Sequence, residues 1–349
     1  MNYRLTALTP LLVGDGQKLS PIDYMVWKDQ VNVLDQPRIF RLLSKGPRLE
    51  SYLTQIRKAE KLDFASWGGF AQNFADRRIP FEDSTSTAYC DQARADQLHI
   101  PTFSAGPNGP YLPASALKGA LRTALTFTRG NPGVLKNVIE RMEGDRPPRR
   151  LGETAEALSF GSAHADPTKG LSLADSGAVP VSSFKVYLVK VSSLVPKGPE
   201  TFEVAWKPAS TLLAEMAVPG TVFEGPAGPG RGLGNIIAAA RQHSTRMLEL
   251  HRQYAERAGL AELGTGLGAL QGRGNDGKSC LVNIGWGGGF LGKTGFLDTE
   301  DQDFRRILKQ LPYYERAIRS GLPFPKTRRI VFSGNRPAAL PGWALLEFS

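Results

Sequence analysis

The stretch from Ile284 to Gly295 holds six glycines in twelve residues. Glycine adds no packing and loses the most entropy on ordering, so this run predicts neither helix nor strand. It can bring backbone N–H groups close to a bulky anion. Lys293 and Thr294 add a charge and a hydroxyl at its end, and Trp286 and Phe290 add flat faces suited to base stacking. The first reading is an RNA-contacting loop in which Gly285, Trp286, Gly287, Gly288, Gly289, Lys293 and Thr294 approach the phosphate backbone. Two readings compete. The spacing from Gly287 to Gly292-Lys293-Thr294 satisfies a P-loop, preceded by the strand-like Leu281–Ile284. A P-loop threonine opens a helix, however, and here Gly295 and Phe296–Thr299 intervene before a helical pattern near Asp301. The other competitor is a structural turn with no ligand.

A net charge of +10 favours a polyanionic partner. Apolar content of 41% and charged content of 22% fit a globular protein long enough for two domains. Cys90 and Cys280 are too few for a disulfide framework or a zinc site, which fits a reducing compartment. Met1–Arg4 leads into a strand rather than an apolar leader, and no run approaches the roughly 18 apolar residues of a membrane span. No cofactor or metal is expected.

Tyr3–Thr9 alternates with a strand period, and Pro10 ends it. Asp23–Trp27 and Val31–Leu34 read as a hairpin. Pro37–Lys61 reads as a helix, and Ser66–Pro110 as an irregular insertion. A helix starts at Leu112–Ser115, with Ser115 as N-cap and Leu117, Leu121 and Leu125 on one face. Lys118 and Arg122 share another face; a cation in the first turn makes sense if that helix N-terminus holds a phosphate. Val181–Val191, Phe202–Trp206 and Leu212–Val218 read as strands. Asn235 caps a long helix. Leu263–Gly277 is a second Gly-rich segment; its Gly272–Gly277 dinucleotide pattern is polar and joins no strand to a helix. Asp303–Ser320 is helical. No acid occurs between Arg316 and Leu346, while Lys326, Arg328 and Arg329 lie inside that span. Arg328 and Ile330 fall on one face of a strand, Arg329 and Val331 on the other. Trp343–Phe348 is the last strand. This order predicts an α+β chain of two ferredoxin-like (βαββαβ) domains, 1–180 with an insertion around 60–110 and 181–349 with Gly-rich loops.

Leu8–Gly16 resembles the N-terminal strand and glycine turn of the RAMP superfamily of CRISPR proteins. Leu112–Arg122 resembles that family's "PGSSLKGALR" helix start, with Ala114 for the usual glycine and Ala116 for a usual serine. Phe160-Gly161 and Leu173–Ser176 resemble weaker landmarks. Gly285–Thr294, Phe324–Arg329, Pro341–Trp343 and Ser20–Tyr24 are similar to the type III-A Csm subunit that caps the backbone filament at the 3′ side of the guide RNA. The resemblance implies a non-catalytic, cytoplasmic prokaryotic subunit that holds guide RNA (crRNA). Target RNA would lie nearby. Its neighbours would be the backbone RAMP subunit, the small helical subunit and a large polymerase-like subunit. The competing activity within this fold is an endoribonuclease. Its candidate groups are His99, His164, His243 and His251, none with a partner evident in sequence, and Asp23, a lone carboxylate at a hairpin entry.

Overall fold

A computed structural model describes residues 1–58, 73–161, 166–228, 232–274 and 276–349. His164, Asn275 and the 59–72 part of the expected insertion lie outside the described residues.

The N-terminal strand β1 (Asn2–Ala7) buries Tyr3, Leu5 and Ala7 and exposes Asn2 and Arg4, as the period of two requires. It pairs antiparallel with β11 (Val222–Pro226) on one side and β15 (Trp343–Phe348) on the other. The edge strand β12 (Ser279–Asn283) completes a first sheet, ordered β11-β1-β15-β12. Arg4 faces Glu224 across the ladder and donates to it at 2.8 Å.

The second sheet is also antiparallel, ordered β10 (Thr201–Ala217), β9 (Phe184–Gly198), β13 (Thr327–Ser333) and β14 (Arg336–Ala339). Phe202–Trp206 and Leu212–Val218, read above as two strands, belong largely to this one β10. The ladder shifts register between Lys207 and Leu212. That bulge is pinned from outside: Tyr89 donates to the Thr211 carbonyl at 2.8 Å and Gln97 to the Pro208 carbonyl at 3.2 Å. Both faces of the sheet are covered. Tyr187, Val189 and Val331 enter one core, and Val186, Leu188, Ile330 and Phe332 enter the other.

The first core gathers Leu117, Leu121 and Leu125 of α4 (Ala114–Arg129) and Ile236, Ile237 and Ala240 of α7 (Leu233–Arg257) against the first sheet. The second core adds a three-stranded sheet of β3 (Tyr24–Trp27), β4 (Gln30–Leu34) and β5 (Ala75–Pro80). Positive φ at Lys28 and Asp29 makes the tight hairpin turn expected between β3 and β4. A bidentate pair with a buried carboxylate and a half-buried guanidinium ties this sheet to β10: Arg77 donates to Glu215 at 2.7 and 3.0 Å. Short pairs β2 (Lys18–Leu19) with β6 (Ile100–Pro101), and β7 (Ala105–Gly106) with β8 (Gly109–Pro110), brace the connections. A third core joins α5 (Pro132–Glu143), α6 (Leu151–Phe160), α9 (Gln302–Gln310) and α10 (Pro312–Arg319).

Several expectations are corrected. The helix expected over Pro37–Lys61 is two, α1 (Gln36–Leu43) and α2 (Leu49–Lys58), separated at Gly46-Pro47. Pro312 likewise divides Asp303–Ser320 into α9 and α10. The insertion carries β5 and α3 (Thr85–Gln92). Leu263–Gly277 begins as helix: α8 (Ala261–Leu270) buries Leu263, Leu267 and Leu270 at helical spacing, a period the glycines masked. Asn235 lies inside α7, whose N-cap is Gly232. The boundary at 180/181 does not separate the sheets, because β1 pairs only with strands from the second half. No helix of the described residues is long and apolar enough to cross a membrane.

Candidate nucleic-acid interface

The Gly-rich run leaves the edge strand β12 and is strapped to two distant segments. Ile284 donates to the Gly342 carbonyl at 2.8 Å, Gly342 to Pro10 at 3.0 Å, and Trp286 to Leu12 at 2.7 Å. Its glycines answer to the protein first. A Cβ on Gly285 would stand 2.2 Å from the Leu12 carbonyl oxygen, and one on Gly288 2.2 Å from Asn283 Oδ1. The same approach is needed at Gly287, under Pro341, and at Gly295, against Thr126. The structural-turn reading therefore holds for these positions. It leaves the amides of Gly287 and Gly289 with no protein acceptor among the described residues. After the loop come a three-residue 3₁₀ turn, Leu291–Lys293, and then no helix until Gln302. The strand–loop–helix frame of a P-loop is absent, and β12 sits in an antiparallel sheet.

The loop forms one wall of a groove of ≈ 1390 Å³. Gly285, Trp286, Gly287, Gly288, Gly289, Lys293, Thr294, Lys326, Arg328 and Arg329 all line it; Lys118 and Arg122 do not. The sequence reading missed two further cations, Lys18 and Lys207, which the register shift in β10 and the β2–β6 pair bring to the same groove. Among the described residues of the lining, Glu156 is the one carboxylate, and it already accepts from Arg122 at 2.7 Å. Low-dielectric walls with charge of one sign concentrate field along such a cleft.

Arg329 lies over the Trp286 ring, 4.6 Å from its centroid. Tyr313 is 85% exposed at the rim and meets Tyr314 edge-on at 4.9 Å; Tyr314 in turn packs edge-on against Phe324. Trp286 also touches the first core, so it is both anchor and groove wall. Burial lowers the pKa of Lys293 and of Arg329, more than the nearby Tyr313 raises the latter. Lys293 as a whole is exposed; it is the surroundings of its ammonium that are crowded. No ion pair holds Lys293, Lys326 or Arg329 among the described residues.

Arg122 is spoken for. It bonds Glu156 and Asp166 and lies 4.8 Å over the Phe160 ring, so its place in the RNA-binding set is corrected to an internal clamp of α4 on α6. The phosphate expected at the N-terminus of α4 is also displaced. Pro113 is the cap residue, Ser115 caps nothing, and the Ala114 amide donates to Asp175 Oδ1 at 2.8 Å. A carboxylate already occupies the positive end of the helix. Asp175→Ala should cost about 1 kcal/mol of stability, the low end for an exposed cap, measured as a shift in the urea midpoint.

The candidate catalytic groups fall elsewhere. Asp23 Oδ2 closes a turn by accepting from the Ser20 amide and hydroxyl at 2.7 and 2.6 Å. Among the described residues no group of three His, Cys, Asp or Glu is placed to hold a metal. His99 is half-buried beside the Asp96 carbonyl. His243 and His251 are core residues. Burial lowers the His243 pKa to about 4, against a weaker opposing pull from the Thr294 carbonyl, and lowers that of His251 well below 6.5. A depressed folded pKa means that stability from these rings is whole above pH 6.5 and is lost as pH falls. For His243 alone the loss should reach about 3 kcal/mol by its folded pKa. His243→Gln should flatten a plot of unfolding free energy against pH across that window.

No curated protein shares detectable sequence similarity with the chain. Solved structures share its fold, two of them as follows. A chain in the cryo-EM structure of a Csm–crRNA–target RNA ternary complex of a type III-A CRISPR-Cas system matches with TM-score 0.69 at 20% identity, covering 99% of this chain and 100% of that one. The crystal structure of T. onnurineus Csm5 matches with TM-score 0.65 at 17% identity and the same coverage. At such identities the likeness concerns architecture, and it agrees with the two antiparallel sheets and flanking helices found here. Sequence carries the assignment further: the model of the RAMP superfamily matches residues 4–311, from the first sheet through the Gly-rich wall of the groove, and the chain belongs to that superfamily.

Proposed function

We propose that this RAMP protein is a non-catalytic, guide-RNA-binding cap subunit of a type III-A CRISPR ribonucleoprotein, with the 3′ part of the guide lying in the groove beside the Gly-rich loop. The observation that carries the reading is a groove lined by Lys18, Lys207, Lys293, Lys326, Arg328 and Arg329, with one carboxylate already paired and aromatic faces between. Backbone amides and cations suit phosphate; Trp286 and Tyr313 suit bases of any sequence. In this reading the two four-stranded sheets are two ferredoxin-like units interleaved in sequence. The backbone subunit, the small helical subunit and the large polymerase-like subunit are its neighbours, and target RNA runs close by.

The test uses purified full-length chain and an unstructured RNA of arbitrary sequence. Log affinity should fall linearly with log salt, by about 0.7 per phosphate engaged, and should change little when the sequence is permuted. Magnesium or manganese should leave the RNA uncut, and Asp23→Ala should change nothing. Metal-dependent cleavage lost in Asp23→Ala would replace this reading with a ribonuclease; a salt-independent affinity would remove RNA from the groove.

A further inference from the structure

Arg328 is a cation that the fold buries and does not neutralise. Its residue is 8% exposed. Its alternation on β13 points it, with Ile330, inward toward α7. There Nε donates to His251 Nδ1 at 2.9 Å, Nη1 donates to the Pro325 and Thr327 carbonyls at 2.7 and 2.9 Å, and the guanidinium lies 4.4 Å over the Tyr254 ring. Tyr254 is itself fixed by Ser192, at 2.8 Å between hydroxyls. All these partners are neutral. Among the described residues no carboxylate pairs with Arg328.

Burying a charge without a counter-charge costs several kcal/mol, so such a group is normally paired. Here burial lowers the Arg328 pKa to about 10, which leaves it protonated at neutral pH. His251 cannot relieve it, since it is held neutral. Two N–H donors are left over, both on Nη2. Among the described residues Nη2 bonds to no protein acceptor, and it is not among their sealed, unpartnered polar atoms, so it keeps an opening. That opening is the groove, whose wall includes both Arg328 and His251. Lys326, just before the strand, and Arg329, on it, also line the groove and add positive charge.

The geometry points to a fixed phosphate subsite in the floor of the groove, in which Nη2 of Arg328 takes one backbone phosphate of a single-stranded RNA as its missing counter-anion. This rests on the RNA reading above and adds to it a division of labour. Lys18, Lys207, Lys293 and Lys326 are flexible point charges that follow a strand. Arg328, held at three of its five donors and stacked on Tyr254, offers only the two N–H groups of a fixed Nη2 and so sets where a phosphate must stop. Pre-organisation of that kind fixes register along the groove without reading a base.

The experiment measures RNA affinity across salt for the full chain and for Arg328→Gln, Arg328→Lys, Lys326→Ala and Arg329→Ala, each first shown folded by circular dichroism. Arg328→Gln should lower the salt slope by about 0.7 and weaken binding about fourfold near physiological salt. Arg328→Lys should keep the wild-type slope and still bind several-fold more weakly, because an ammonium cannot hold both the wall and the ligand. A folded Arg328→Gln with wild-type affinity and slope, beside a weakened Lys326→Ala, overturns the subsite and leaves the groove reading standing. If Lys326→Ala and Arg329→Ala are also silent, the groove reading falls and takes the subsite with it. Should Arg328→Gln fail to fold, Arg328→Lys decides: undiminished affinity overturns the subsite. A parallel arm titrates the wild type with inorganic phosphate. If phosphate alone raises the melting temperature as far as RNA of equal phosphate content, the site serves a free anion and its assignment to RNA is overturned.

Discussion

Gly285→Val should unfold the protein at markedly lower denaturant, by about 4 kcal/mol. Three costs add at this one position. Gly285 has φ of +82°, where a β-branched L-residue is strained by about 1–2 kcal/mol. The new Cβ would stand 2.2 Å from the Leu12 carbonyl oxygen and 2.9 Å from Val13 Cγ2, so backbone must move, as in an overpacked core costing about 1–3 kcal/mol. That same carbonyl accepts from the Trp286 amide at 2.7 Å, a bond worth about 1 kcal/mol that the displacement would break. Gly119→Ala is the matched control. It lies in α4, nothing stands within 4 Å of its added Cβ, and helix propensity predicts a gain of up to about 1 kcal/mol. Urea midpoints of the two variants measure the difference. A Gly285→Val midpoint close to wild type would mean that the strap between Leu12 and the loop is not a fixed part of the fold.

Removing three groove charges together, in Lys293→Ala/Lys326→Ala/Arg329→Ala, should weaken RNA binding about 50-fold while the chain stays folded. Each phosphate released from a single strand contributes about 0.7 of log salt, which near physiological salt is about 0.6 of a decade; three contacts give nearly two decades. The salt slope should fall by about 2 in the same titration. Stability should change little, since among the described residues none of the three holds an ion pair, and Arg329 gives up only its stacking on Trp286, worth about 0.5–1 kcal/mol. A triple variant with the wild-type slope would place the RNA on another face of the protein. Adding ATP with magnesium should alter neither protein, because the lysine of the apparent P-loop pattern opens no helix.

What could be read along the chain was whatever depends on near neighbours. The periods of β1, the β3–β4 hairpin, α4 and β13 are written in consecutive residues, and so is Asp301, which caps α9 by accepting from the Phe304 amide at 2.8 Å. Partnerships between distant residues were not legible. The cap of α4 comes from Asp175, 61 residues on, and the acids that claim Arg122 come from α6 and the segment after it. Alternation in β13 separated Arg328 from Arg329 correctly, yet nothing local says which face looks at α7. Lys18 and Lys207 carried no signal of their own: each is an ordinary lysine beside a strand until the fold places both on one groove. The glycines were legible as close approaches. What they approach, Leu12, Asn283 and Pro341, required the structure.

The central place of β1 in the first sheet sets a timetable for making this protein. Its two partners are residues 222–226 and 343–348, so β1 has no edge to join until β11 has been made and no second edge until β15 follows. At about 5–20 residues per second, residues 2–7 wait roughly 10–45 s for β11 and roughly 20–70 s for β15 before both edges of the strand carrying Tyr3, Leu5 and Ala7 are joined. The sheet that carries the Gly-rich loop is therefore not whole until residues 343–348 have been made, and the groove cannot form on a nascent chain that lacks them.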